Sequence, residues 1–166
     1  MFYLIITGKI KKNHKVIKIF RESGIDIKNI LIIFPVEEED FRVALYVFRN
    51  LTKEENINYY FLINKVFKQH FHLNGYVFNI TSNKNKIKID ETFYEDRILN
   101  KEYDMVIDLN KEFLFDIALI TNRLYAKFKV GIKNEFSDYF YNIQFNLNDK
   151  GILEKTYDKI CLMLKK

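Results

Sequence analysis

Tryptophan is absent from this sequence, and cysteine and proline occur once each. The single thiol, Cys161, excludes a disulfide framework and fits an intracellular compartment. Five glycines in 166 residues leave no glycine-rich loop of the kind that cradles phosphates. No nucleophile elbow for Ser-His-Asp chemistry is present. Long hydrophobic runs are missing too: the apolar start, Met1 to Thr7, is too short for a membrane span or a signal-peptide core, and no small-residue cleavage site follows it. There is no internal repeat, low-complexity tract or linker.

What is present describes one domain. A chain of this length with 48% hydrophobic residues buries roughly 70% of its unfolded surface and needs no disulfide or metal to hold it. The net charge of +5 is a modest excess that favours solubility and is a weak pointer to anionic partners.

Helical and strand patterns alternate along the chain, which predicts an α/β fold: a Rossmann-like three-layer sandwich with a mostly parallel sheet of about five or six strands. Residues 1–24 form a leading basic amphipathic helix, and residues 29–166 the α/β core. The leading helix has Tyr3, Ile6, Ile10, Ile17 and Phe20 on one stripe, although Gly8 leaves Phe2 to Ile6 open to an extended reading. Ile30 to Phe34 and Asp104 to Asp108 are apolar runs that predict central strands buried on both faces. Tyr59 to Ile63, Tyr76 to Ile80, Phe128 to Ile132 and Tyr139 to Phe145 supply further strands, with Ser82 to Lys88 a polar loop or hairpin edge. Helices are expected after Glu37-Glu38-Glu39-Asp40, over Asn64 to Phe71, over Glu91 to Leu99, along Phe113, Ile117, Ile120 and Leu124, and along Leu153, Tyr157, Ile160, Cys161 and Leu164.

Two stretches, ILIIFPVEEEDFRV (30–43) and YDMVIDLNKEFLFDIALITNRLYAKFKVG (103–131), carry a resemblance. The Asp-Leu-Asn after a buried strand, a helix, and then Ala126-Lys127-Phe128-Lys129-Val130-Gly131 resemble a family of short bacterial proteins common in Bacteroidota, whose function is unknown. That family carries a Trp-containing segment before the IDLN strand, and this chain departs from it there. The same stretches resemble more distantly the N-terminal half of heptosyltransferases, family 9 glycosyltransferases of GT-B type. Asp40 falls at the place of the catalytic aspartate, Asp108-Leu109 resembles a strand-ending Asp-Leu-Gln, and Ala126 to Gly131 resembles the strand that follows. Glu39 stands where the aspartate's preceding glycine belongs, and the sugar-nucleotide half has no counterpart. The resemblance therefore implies a half-domain relative rather than a transferase.

The candidate residues each have a functional and a plainer reading. Asp40 is either a general base at the mouth of the sheet or, with Glu37, Glu38 and Glu39, an acidic helix start that complements the helix's partial positive charge. Four adjacent acids would also repel a phosphate. Asp108 and Asn110 follow the C-terminal end of a strand, where open α/β sheets place ligands; the plainer role for Asp108 is capping a helix that begins near Lys111. His70 and His72 would share a face on a strand and could hold zinc, but their surroundings read as helix and no further ligands accompany them, so no metal is expected. No cofactor is expected either. Tyr139, Tyr141, Ile143 and Phe145 alternate and would form a partner surface on an edge strand or a stripe covered by a helix.

Lys9, Lys11, Lys12, Lys15 and Lys18 make the largest charge feature. They would contact an anion or a membrane surface, or form a solvated helix face. Nucleic acid is the weaker reading, since no recognised binding motif accompanies the stripe. The sequence thus predicts a non-catalytic cytoplasmic binding or interaction module, peripheral to the inner membrane face if the basic helix docks there. Its partner would be another protein or a second copy. The alternatives are a glycosyltransferase subunit completed by a donor-binding chain, and a nucleic-acid-binding protein.

Overall fold

The computed structural model describes residues 27–51, 56–83, 86–89, 94–147 and 152–164. The predicted leading helix, with Lys9, Lys11, Lys12, Lys15 and Lys18, lies outside the described residues.

Among the described residues, seven strands form one sheet: β1 (Asn29–Ile33), β2 (Asn58–Asn64), β3 (Tyr76–Asn83), β4 (Lys86–Ile89), β5 (Tyr103–Asp108), β6 (Ala126–Ile132) and β7 (Ile143–Phe145). Their order across the sheet is β4-β3-β2-β1-β5-β6-β7. Every neighbouring pair is parallel except β3 and β4, which form an antiparallel hairpin. The sheet exceeds the expected five or six strands because the polar Ser82–Lys88 stretch supplies this hairpin edge.

β1 and β5 are adjacent and central, paired from Ile30↔Met105 to Ile33↔Asp108. Both runs are apolar without alternation because both sheet faces are covered. On one face Ile30, Ile32, Phe61, Met105, Ile107 and Val130 meet helices α1 (Glu38–Phe48) and α3 (Leu153–Leu164). On the other, Leu31, Ile33, Leu62 and Val106 meet α2 (Phe115–Arg123) and Ile98 of the short helix Tyr94–Leu99. Buried positions on α3 (Leu153, Thr156, Tyr157, Ile160, Cys161, Leu164) recur at three- and four-residue spacing, and Phe48 of α1 meets the Tyr157 ring edge-on. Cys161 is a free, buried thiol.

Two expectations change. The aromatic alternation Tyr139–Phe145 is not one strand: Ser137–Tyr139 is a single 3-10 turn, and only Ile143–Phe145 pairs with β6. Backbone bonds from Phe140 and Tyr141 back to Ser137 hold that turn and aim Tyr141 inward. The helix marked by Phe113, Ile117, Ile120 and Leu124 is shorter than its pattern, because Phe113 leaves the helix to pack against Phe136 and Phe140. The helical reading of the His70 surroundings agrees with the structure: His70 ends the 3-10 helix Lys65–His70, and His72 Nδ1 is 3.1 Å from the carbonyl of His70.

At the sheet's outer edge, Lys86 and Lys88 of β4 are exposed, and the backbone N–H of Ile87 donates to Asp116 Oδ2 of α2 at 2.8 Å. Among the described residues, no helix is long and apolar enough to cross a membrane.

Candidate functional site

The strand order reverses direction between β1 and β5. In an open parallel sheet that is where two neighbouring connections leave on opposite faces and open a crevice beyond the strand ends. Here the chain after β1 carries Pro35, Val36 and then α1 with Asp40, and the chain after β5 carries Leu109, Asn110 and Lys111. The candidates Asp40, Asp108 and Asn110 therefore converge on one rim.

The protein's own side chains hydrogen-bond across that crevice. Asp108 ends β5 fully buried; its Oδ1 accepts from the backbone N–H of Asn110 at 3.0 Å and from the Asn110 amide at 2.7 Å. This is a tight local turn in place of the expected helix cap, since α2 begins only at Phe115 and has no side-chain cap. Asn110 Oδ1 reaches across and accepts from the N–H of Val36 at 3.0 Å, tying the two crevice loops together. Tyr141 donates its hydroxyl to Asp108 Oδ2 at 2.5 Å, and Tyr157 donates to the carbonyl of Leu109 at 2.6 Å.

Asp40 sits in the first turn of α1 with Glu38 and Glu39, in keeping with an acidic helix start. Its side chain is 9% exposed and accepts from Lys111 Nζ at 2.9 Å. Asp40 thus projects into the crevice as half of an ion pair, and that bond holds the Lys111 ammonium above its ordinary pKa.

Burial dominates the remaining charges. It raises the Asp108 carboxyl pKa, and the bonds from Tyr141 and Asn110 offset this only in part. The Tyr141 phenol is pushed well up by burial and by the Asp108 charge. Tyr157 is pushed up by burial and then by Asp40 and Asp108. The chemistry available is that of a fixed hydrogen-bonded network. Asp108 spends its lone pairs on neighbours, and Asp40 is held by a cation rather than aimed at open solvent.

Gly131 belongs to this network although it touches neither carboxylate. A β-carbon there would lie 2.6 Å from ring atoms of Tyr141. Glycine on β6 is therefore what lets the Tyr141 ring cross toward Asp108. Sequence reasoning missed Lys111, Gly131 and the inward role of Tyr141. Adjacency to Asn110 was the one available signal, and it pointed only to Lys111.

Beside this network, on the α2 side of the rim, lies a pocket of about 340 Å³ lined by Val36, Glu37, Ile87, Phe113, Phe115 and Asp116 among others. Among the described residues, no three His, Cys, Asp or Glu side chains gather as a metal site.

The model of DUF6913, a family of unknown function, matches residues 4–158. No curated protein matches the chain. Solved structures that resemble it include two of the same enzyme. E. coli heptosyltransferase WaaC with ADP superposes with a TM-score of 0.61 at 14% identity, covering 82% of this chain and 47% of that one. E. coli heptosyltransferase WaaC with ADP-2-deoxy-2-fluoro heptose gives 0.62 at 14% identity, covering 82% and 48%. At that identity the likeness shows the fold, and the chain spans about half the length of these structures.

Proposed function

The chain belongs to the DUF6913 family, and with the hydrogen-bonded crevice as the second premise we propose that it is a non-catalytic binding or interaction module built on the acceptor-side half of a GT-B glycosyltransferase. The observation that carries this reading is the Lys111–Asp40 ion pair across the switch point. A general base needs access to the proton it removes, and this carboxylate is 9% exposed and bound to an ammonium. The Asn110–Val36 bond ties the two loops together across the same crevice. The module would work in the cytoplasm, at the inner membrane face if its basic leading segment docks there, and its partner would be a protein or a second copy.

Calorimetric titration with ADP-, UDP- and GDP-sugars tests this. No heat of binding is expected; micromolar affinity for any of them would sink the reading. The rival is a transferase subunit completed by a second chain, favoured by the half-length match to heptosyltransferase. A co-purifying partner that confers sugar transfer on the pair would select it. Steep salt-dependent binding to DNA or RNA would select the nucleic-acid alternative instead.

A further inference from the structure

The pocket beside the Asp40–Asp108 network has a chemistry of its own. It opens where the loop after β1 (Val36, Glu37), the edge strand (Ile87) and the start of α2 (Phe113 to Asp116) meet, and its volume of about 340 Å³ lies near the lower bound for small-ligand sites, about 300 Å³. Phe113 and Phe115 give it aromatic walls, and Val36 and Ile87 give aliphatic ones. Glu37 and Asp116 are its charged residues, and among the described residues no lysine, arginine or histidine lines it.

The start of α2 argues the other way, since a helix N-terminus carries roughly half a positive charge and favours anions. Two full carboxylate charges outweigh it. Asp116 also keeps its position whether or not a ligand is present, because its Oδ2 accepts from the N–H of Ile87 at 2.8 Å. An anionic sugar phosphate would meet repulsion here. A cation on an apolar stem would meet carboxylates at its head and ring faces along its length, both of which attract it.

We propose that this pocket receives a guanidinium or ammonium group on an aliphatic stem, offered by an arginine or lysine of a partner polypeptide. The proposal rests on the reading of the chain as an interaction module and names the chemistry of its partner. The volume suits one such side chain rather than a nucleotide, and neither Asp40 nor Lys111 lines the pocket.

An amide NMR titration of the full chain tests it, using acetyl-Gly-Arg-Gly-amide, its glutamate counterpart and free agmatine. The arginine peptide should give saturable shifts at Ile87, Leu114, Phe115 and Asp116, with affinity near about 1 mM, and the glutamate peptide none. Glu37→Gln and Asp116→Asn should each weaken binding about threefold, the scale of one partly exposed ion pair. Glu37 is exposed, and asparagine at 116 retains an acceptor for Ile87. If Asp116→Asn fails to fold, Glu37→Gln alone decides. Absent shifts, equal shifts with both peptides, or binding indifferent to the variants would overturn the proposal. Tighter binding of agmatine than of the arginine peptide would overturn the polypeptide source. Sugar-nucleotide binding in the calorimetric titration would count against the module reading without altering this result, so the two failures are distinguishable.

Discussion

The ring of Tyr141 lies so close over Gly131 that a β-carbon at position 131 would sit 2.6 Å from it. Glycine on β6 and tyrosine in the following turn form one unit, whose product is the hydroxyl bond to Asp108 Oδ2. Gly131→Ala should therefore cost about 1–3 kcal/mol, the range for overpacking a dense interior. Urea denaturation measures it. An unchanged midpoint would mean that the ring shifts freely and that the Asp108 bond adds nothing.

The Lys111–Asp40 pair predicts an asymmetry. Lys111 is 39% exposed and Asp40 9%, so an unpaired ammonium could turn to water and an unpaired carboxylate could not. Lys111→Met should cost about 1–3 kcal/mol, the desolvation cost of a stranded buried group. Asp40→Asn should cost less than about 1 kcal/mol. Equal losses in parallel denaturation curves would contradict this account.

Much of this geometry was open to sequence reasoning, and the limits have physical causes. β1 and β5 were legible because apolar residues covered on two faces leave no alternation to misread. The turn around Tyr141 was not. Tyr139, Tyr141, Ile143 and Phe145 alternate as a strand does, yet Phe140 between them is fully buried as well, so the period of two was coincidental. Asp108 was placed correctly at the strand end. Its role differed because Asn110, two residues on, offers both a backbone and an amide N–H and takes the carboxylate before any helix begins. Lys111 could not be paired with Asp40 from sequence, since 71 residues separate them.

Asp108 also predicts a pH effect. Burial raises its folded-state pKa, so the folded chain binds this proton more readily than the unfolded one. Its contribution to stability is present below the ordinary aspartate range and is lost as pH rises through the raised folded value. Asp108→Asn should remove that falling component. Thermal melts between about pH 4 and pH 7, wild type against variant, read the difference; parallel curves would show that Asp108 titrates as it does in the unfolded chain.

Lys129 carries the opposite sign. It lies half-buried on β6, donates to the carbonyl of Asn122 at 2.9 Å, and is pushed down to about 8 by burial. Between about 8 and the unfolded value of about 10.4 the unfolded chain holds more protons, so stability should rise with pH across that window. Lys129→Met should flatten the rise. A wild-type melting temperature that falls steadily over the same range, with the variant following it, would exclude the effect.

The bond from Ile87 to Asp116 has a consequence for crowding. A parallel sheet that ends in a bare strand invites a second chain to continue it, and fibres grow by that route. Here the last strand runs backwards, turns Lys86 and Lys88 to water, and has one backbone donor already bound to a carboxylate of the same molecule. A strand arriving at this edge would meet like charges from its own kind and a ladder with a rung missing. At high concentration the protein should resist polymerising through this border. Asp116→Ala together with Lys86→Thr and Lys88→Thr would remove that protection.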